Sequence, residues 1–148
     1  VKNWEKIISD EKIKLFWGTG KDNFEEDTYK MKNFGNSVVK PYFNNVADIM
    51  SASDLVICRA GASTISELIQ LEKPSILIPY DFVGQKENAD VLEYVNGAKI
   101  FTNETADEAV EEAMTLVKQD EMLEFMKGNI RKLKKGNAAD TIIQEMGL

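Results

Sequence analysis

One continuous stretch, residues 54–88, constrains the fold of this chain more than any other. It begins with the apolar run Leu55 to Cys58, turns at Gly61 among small residues, and continues as an amphipathic segment. A second apolar run then leads into a polar loop that carries Gln85 and Asn88. Short apolar runs bounded by turn residues are typical of strands. The stretch therefore predicts strand, tight turn, helix, strand and loop.

Strands and helices alternate along the rest of the chain as well. This alternation predicts an α/β fold: a Rossmann-like parallel sheet with helices on both faces, since right-handed crossovers make the strands parallel. The run at 54–59 is nearly all apolar, as a strand covered on both faces requires. With 148 residues, we expect one domain spanning 1–148.

The turn at Gly61 has the composition of an anion-binding site. We expect a helix to open at Ser63 or Thr64, where the first N–H groups lack partners and the helix dipole adds partial positive charge. Gly61 and Ala62 allow a ligand to approach the backbone, and the two hydroxyls add donors. A phosphate or diphosphate fits such a turn, because ligands of open parallel sheets bind outside the carboxyl ends of the strands.

The same residues also allow a purely structural interpretation. The segment from Thr64 to Glu67 matches the capping box, in which the Glu67 carboxylate only bonds back to the N–H of the cap residue. Many strand-to-helix turns of this composition bind nothing. From the residues alone, phosphate binding and simple capping both stay open.

Composition excludes several classes of function. The formal net charge of −7 argues against a nucleic-acid binder, which needs a basic surface. No apolar run approaches the ~20 residues that span a bilayer, and no signal peptide is visible, so we expect a cytoplasmic protein. The chain has no histidine, no D-x-D pair and no cysteine cluster, so neither a metal site nor a cofactor is predicted. Its single cysteine, Cys58, is expected to be a buried thiol.

The central stretch resembles the C-terminal domain of the MurG family of N-acetylglucosaminyltransferases. The residues that carry the resemblance are A-S-D-L-V-I-C-R-A-G-A-S-T at 52–64, Glu67-Leu68, K-P-S-I-L-I-P-Y at 73–80 and Q-K-E-N-A at 85–89. Weaker similarity extends outward to Thr19-Gly20-Lys21, Pro41-Tyr42-Phe43 and Ala138-Ala139-Asp140. The resemblance covers essentially the whole chain.

The resemblance implies the C-terminal half of a GT-B glycosyltransferase, in which two Rossmann-like domains face each other across a cleft. This half binds UDP-N-acetylglucosamine. The family's N-terminal domain binds a lipid-linked N-acetylmuramoyl-pentapeptide at the cytoplasmic face of the membrane and is expected to carry the catalytic base for this step of peptidoglycan synthesis. That domain and the first strand of the donor domain are expected to be absent here. We therefore predict no catalytic residue in this chain and no activity from the chain alone.

The resemblance also implies a set of donor-binding residues: Phe43, Gly61, Ala62, Ser63, Thr64, Ile65, Ser66, Glu67, Gln85 and Asn88. Residues 62–66 would hold the diphosphate, and Glu67 would accept hydrogen bonds from the ribose hydroxyls. Gln85 and Asn88 would face the sugar and the nearby phosphate, and Phe43 would flank the uracil. The chain departs from the family at Gly84, where the family usually has His or Gln.

Two other functions are compatible with the sequence. One is the soluble donor-binding subunit of a two-chain N-acetylglucosaminyltransferase, which works with a membrane partner and resembles the same half. The other is a nucleotide-binding or scaffold module that transfers nothing. Absence of UDP binding would favour the scaffold.

Overall fold

Strands and helices alternate in the structure, a computed structural model that describes residues 9–31, 35–81 and 84–134. The segment at 138–140 lies outside these residues. The chain forms two compact units, with the boundary between Ile49 and Met50. The elements are β1 (Leu15–Gly18), α1 (Phe24–Met31), β2 (Ser37–Lys40), α2 (Val46–Ala52), β3 (Val56–Cys58), α3 (Ala62–Gln70), β4 (Ser75–Leu77), α4 (Gln85–Tyr94), β5 (Ala98–Ile100), α5 (Ala106–Leu116) and α6 (Asp120–Leu133).

The first unit contains a two-stranded parallel sheet. β1 pairs with β2 from Leu15 opposite Ser37 to Gly18 opposite Lys40. The predicted turn follows β1: Thr19 N–H donates to the Lys40 carbonyl at 3.0 Å, and Gly20 adopts a φ of 76°. Glycine fits there because a side chain is disfavoured at positive φ.

The second unit contains a three-stranded parallel sheet in the order β3-β4-β5. Ile57, Ile76 and Lys99 lie in register across it. β4 is the inner strand of this sheet and is fully buried, which explains why its sequence is continuously apolar apart from Ser75. The crossovers between these strands run through α3 and α4, as the alternating sequence predicts.

The two faces of this sheet pack against different helices. On one face, Leu77 and Ala98 join a core with α3, α4 and α6 that includes the fully buried Leu68, Leu92 and Ile130. On the other face, Ile76 packs against Ala109 and Ala113 of α5. Alternation of side chains along a strand produces this division. The prediction of a parallel sheet with helices on both faces is confirmed.

β3 is an edge strand of the three-stranded sheet among the described residues. Its ladder to β4 uses the Val56 N–H and the Cys58 carbonyl, so the backbone of the intervening Ile57 points away from β4. The Ile57 side chain is 42% exposed. The expectation that this strand is covered on both faces is therefore wrong at Ile57, because an edge position leaves part of its surface uncovered.

A tight turn after α4 brings the chain back into the sheet. Asn96 adopts a φ of 58°, and Gly97 N–H donates to the Leu92 carbonyl at 2.8 Å. Gly97 is buried against Ile130 of α6. The Asn-Gly pair thus ends α4 in the manner common at helix C-termini, with a left-handed residue closing the last turn.

A buried lysine ties β4 to the end of α2. The Lys73 ammonium donates to the carbonyl of Ser51 at 3.2 Å and also to the carbonyl of Ser53. Its side chain is only 7% exposed, and desolvation, with a smaller contribution from the nearby Lys127 charge, lowers the pKa of Lys73 below its usual value. Because carbonyls at the end of a helix lack partners within the helix, a cation there stabilises the chain entering β3.

Replacing Ser75 with alanine should raise the free energy of unfolding by about 1 kcal/mol. The Ser75 hydroxyl in β4 is fully buried and has no hydrogen-bond partner among the described residues, so folding desolvates it without compensation. Urea denaturation measures the change. Ser75→Thr serves as the control, because it keeps the hydroxyl, adds a methyl group to a filled core and should destabilise. A loss of stability in Ser75→Ala would show that the hydroxyl is satisfied.

Candidate functional site

The turn between β3 and α3 forms the start of the candidate site. Gly61 is the N-cap of α3, with φ −64° and ψ 150°, and no side chain caps the helix. The first helical hydrogen bond runs from the Ile65 N–H to the Gly61 carbonyl at 3.0 Å. The helix therefore begins at Ala62, one to two residues earlier than the sequence predicts.

Three consecutive N–H groups at this helix start are available to a ligand. Those of Ala62, Ser63 and Thr64 make no hydrogen bond within the part of the chain that the structure describes. The hydroxyls of Ser63 and Thr64 have no partner there either, and Ala62 and Ser63 are exposed. Unpaired donors at the positive end of a helix dipole form an anion-binding site.

The capping-box interpretation is wrong. Since Gly61 is the N-cap, Thr64 and Glu67 lie inside α3, three and six residues beyond the cap, where their side chains cannot form the reciprocal pair. The Glu67 carboxylate is exposed and makes no hydrogen bond or ion pair with any described residue. It is consequently free to accept hydrogen bonds from a ligand.

The other two predicted positions in α3 differ in their surroundings. Ile65 is buried in the core, and its N–H is already bonded to the Gly61 carbonyl, so it offers no free polar group. Ser66 is exposed on the same helix as Glu67. The polar groups available along this part of the chain therefore come from residues 62–64, Ser66 and Glu67.

Gln85 and Asn88, near the start of α4, contact the turn between β3 and α3. The Gln85 side-chain oxygen accepts hydrogen bonds from the N–H groups of Ala60 at 3.1 Å and Tyr80 at 3.2 Å. The Asn88 amide donates to the Ala60 carbonyl at 3.0 Å. The structure thus brings both predicted residues to the turn, where each is bonded to its backbone.

The backbone of Gly61 leaves room beside it for one further atom. A Cβ atom at this position would have as its nearest neighbours the Gln85 side-chain nitrogen and the Thr64 hydroxyl oxygen, both 3.9 Å away. Two hydrogen-bond donors therefore flank a space that the glycine leaves empty. An oxygen atom of a ligand entering there would meet both groups as well as the backbone.

Arg59 is a site feature that the sequence analysis missed. One terminal nitrogen, Nη1, donates to the Ile78 carbonyl at 3.0 Å and to the Asn103 side-chain oxygen at 2.6 Å, and the guanidinium stacks on the Tyr80 ring at 4.1 Å. Its Nε and Nη2 groups make no hydrogen bond within residues 9–31, 35–81 and 84–134, and this is the edge of a guanidinium that is suited to bidentate hydrogen bonding with an anion. The available signal was an arginine directly between an apolar strand and the glycine turn.

Cys58 is not a nucleophile of this site. It packs against the core from the end of β3, and burial raises the pKa of its thiol to about 12. A thiol with this pKa stays protonated at neutral pH. The prediction of a buried thiol is confirmed for its packing against the core, but the side chain is only partly buried. Among the described residues, no group of three or more acidic, histidine or cysteine side chains is placed to hold a metal ion.

Phe43 belongs to the first unit of the chain. Its ring contacts Phe16 edge-on, with centroids 6.4 Å apart, and the Lys40 ammonium lies 5.9 Å from its centroid. These contacts hold the ring beside the carboxyl ends of β1 and β2. Its role against a uracil stays a prediction.

Fold and turn together define the class of protein. A parallel sheet wrapped by helices on both faces, with unpaired donors where a strand gives way to a helix, is a Rossmann-like module whose free donors lie at the carboxyl edge of its sheet. No helix in the described part of the chain is both long and apolar enough to cross a membrane.

The chain belongs to the glycosyltransferase family 28 C-terminal domain family, whose sequence model matches residues 1–145. It is 43% identical, over its whole length, to the UDP-N-acetylglucosamine–N-acetylmuramyl-(pentapeptide) pyrophosphoryl-undecaprenol N-acetylglucosamine transferase of Fusobacterium nucleatum, and covers 42% of that protein. It is 33% identical to the protein of the same name from Chlorobium limicola, with 94% of this chain and 39% of that protein covered. The resemblance found in the sequence is confirmed.

A solved structure shows the same fold. The crystal structure of MurG from Acinetobacter baumannii superimposes with a TM-score of 0.72 at 22% sequence identity, covering 98% of this chain and 45% of that one. The chain thus spans about two fifths of the length of the curated relatives it matches.

Proposed function

We propose that this chain is the donor-binding half of an inverting glycosyltransferase that moves N-acetylglucosamine from UDP-N-acetylglucosamine to lipid-linked N-acetylmuramoyl-pentapeptide in peptidoglycan synthesis. The observation that carries the proposal is the start of α3, where three free N–H groups stand beside free hydroxyls and an unpaired Glu67 carboxylate. Relatives at 43% and 33% identity bear the name of this transferase.

Different residues of the proposed site bind different parts of the donor molecule. The N–H and hydroxyl groups of residues 62–64 and 66 hold the diphosphate, and Glu67 accepts from the two ribose hydroxyls. Carboxylates suit this task because one carboxylate accepts from both vicinal hydroxyls, as in dinucleotide sites. Gln85 and Asn88 serve the sugar side.

This geometry assists the departure of UDP. When the acceptor hydroxyl attacks the anomeric carbon with inversion, the bond to the diphosphate breaks through an oxocarbenium-like state, and negative charge grows on the leaving oxygen. N–H groups fixed at a helix start stabilise that charge without having to reorganise. The proton of the acceptor hydroxyl goes to a base on the acceptor-binding domain, and the lipid-linked acceptor places the reaction at the cytoplasmic surface of the membrane.

Glu67→Ala should weaken binding of UDP-N-acetylglucosamine by about 10- to 100-fold, because the variant loses charge-assisted hydrogen bonds worth about 1.5–3 kcal/mol. Isothermal titration calorimetry of the protein at its natural length measures the affinity. Gln70→Ala, at the far end of the same exposed helix face, should bind like the wild type, and GDP-mannose should bind to neither. Equal affinity in Glu67→Ala and the wild type would overturn the ribose role. No donor binding by the folded wild type would overturn the proposed function.

The 148-residue chain alone should bind donor without transferring sugar. The base is assigned to the acceptor-binding domain, so addition of that domain should restore transfer to a lipid-linked acceptor. Transfer by the chain alone would contradict this division. Transfer that appears only with a separate membrane subunit would identify the two-chain enzyme instead.

A further inference from the structure

Two side chains of α4 hold the backbone of one buried residue, Ala60, on both sides. Ala60 is fully buried, and its N–H and carbonyl are both bonded to α4, the first to the Gln85 oxygen and the second to the Asn88 amide. Gln85 and Asn88 lie three residues apart and thus on the same face of the helix. Because β3 has ended at Cys58, these bonds replace the sheet pairing that Ala60 lacks.

Ala60 sits where its orientation determines that of the anion-binding turn. It directly precedes Gly61, whose carbonyl starts α3, and only one residue separates it from the first free N–H group at Ala62. Since the two hydrogen bonds fix both polar groups of Ala60, they also fix the direction in which the free N–H groups at the helix start point. A loop held in this way binds an anion without first paying for its own ordering.

We infer that Gln85 and Asn88 form a clamp on the backbone of Ala60. In this clamp, Asn88 is a positioning residue that acts on the ligand through the Ala60 carbonyl and the peptide that joins it to Gly61, and Gln85 meets the ligand only as a hydrogen-bond donor. This inference rests on the proposed function for the identity of the ligand, a nucleoside diphosphate. It assigns Asn88 a positioning task in addition to its place on the sugar side of the proposed site.

The Gln85 amide can offer a ligand only hydrogen-bond donors. Its oxygen already accepts two hydrogen bonds, from the N–H groups of Ala60 and Tyr80. Its nitrogen has no partner among residues 9–31, 35–81 and 84–134 and lies 3.9 Å from the point where a Gly61 Cβ would stand. With the oxygen occupied, only the two N–H groups of the nitrogen face the space beside Gly61. The ligand atom that enters must therefore be an acceptor, such as a phosphate or hydroxyl oxygen.

Substitutions separate the clamp from the ligand contact. Asn88→Asp keeps the shape but replaces the N–H donor with an oxygen that repels the Ala60 carbonyl, and Asn88→Ala removes the bond without adding charge. Gln85→Glu keeps an oxygen for the Ala60 and Tyr80 N–H groups but loses the free donor. Glu87→Gln, an exposed change in the same helix turn, is the control.

The first readout is the amide spectrum of the ligand-free protein at its natural length. Both Asn88 variants should shift the ¹⁵N–¹H resonances of Ala60, Gly61 and Ala62 and speed hydrogen exchange at Ala60, whose N–H is hydrogen-bonded, whereas Gln85→Glu should keep the exchange protection at Ala60. An unchanged spectrum at these three positions in both Asn88 variants would overturn the clamp. This readout needs no ligand, so it decides the clamp even if the wild type fails to bind UDP and the proposed function falls.

The second readout compares the affinities for UDP and uridine. Because the clamp orients the diphosphate donors, Asn88→Ala should weaken UDP binding by about tenfold, the equivalent of one hydrogen bond, and leave uridine binding unchanged. Gln85→Glu should likewise lose UDP but not uridine. Equal losses for UDP and uridine would show that Asn88 only supports the fold. Wild-type UDP affinity in both Asn88 variants would overturn the positioning role while leaving the proposed function intact.

Discussion

Gly61→Ala should lower the affinity for UDP-N-acetylglucosamine by about 100-fold, the equivalent of two lost charge-assisted hydrogen bonds, while the free energy of unfolding changes little. The backbone of Gly61 has φ −64° and ψ 150°, which any residue adopts. A Cβ would meet nothing closer than 3.9 Å, an ordinary contact. The folded protein therefore does not need glycine here, and the methyl group would fill the space reserved for the ligand.

The test measures stability and affinity on the same samples. Urea denaturation of Gly61→Ala should show a change of less than about 1 kcal/mol, because alanine restricts the unfolded chain more than glycine does but is a poorer N-cap residue. Gly128→Ala in α6 is a matched control: a Cβ there meets no atom within 4 Å, so it should gain stability and bind donor like the wild type. Wild-type donor affinity in Gly61→Ala would show that the ligand does not use this space.

Gly97→Ala should lower the free energy of unfolding by about 1–3 kcal/mol, the usual cost of overpacking a filled core. A Cβ at Gly97 would lie 2.5 Å from Cγ1 and 3.2 Å from Cδ1 of Ile130, which is fully buried in the core between α6 and the sheet. Neither partner can move aside easily, because Gly97 is also bonded to the Leu92 carbonyl.

A double-mutant cycle identifies the clash as the cause. Ile130→Ala destabilises by itself through the cavity that it leaves, but it removes the atoms that the new methyl group would meet. Gly97→Ala should therefore cost little stability in the Ile130→Ala background, and the coupling between the two positions should be large. Purely additive effects in chemical denaturation would place the cost of Gly97→Ala in the backbone rather than in this contact.

The strand–turn–helix order around Gly61 was predictable because it depends on local patterns, but the first residue of α3 was not. Thr64 and Glu67 form a strong capping pattern, which outweighed Gly61 in the sequence. Glycine also serves as an N-cap, and it does so here without any side-chain hydrogen bond. The local capping pattern therefore predicted a first helical residue that in fact lies within α3. Only the structure shows that the Glu67 carboxylate has no hydrogen-bond partner among the described residues.

The contacts of the site that join residues far apart in the sequence could not be predicted from the sequence. Arg59 is held by Asn103, which lies 44 positions further along the chain, and by the ring of Tyr80. The resemblance indicated Gln85 and Asn88 as site residues. Their bonds to Ala60, however, arise because the start of α4 lies beside the turn that follows β3. Similarly, the exposure of Ile57 follows from the order of the strands, which no apolar run specifies.

The state of Cys58 has a practical consequence for labelling experiments. It is the only cysteine in the sequence, and burial against the core raises the pKa of its thiol to about 12, so the thiol is protonated at neutral pH. Maleimide reagents, which attack the thiolate, should therefore react slowly with it in the folded protein. A single cysteine introduced at an exposed position, such as Tyr94 at the end of α4, would then take up most of a fluorophore or spin label without any need to replace Cys58.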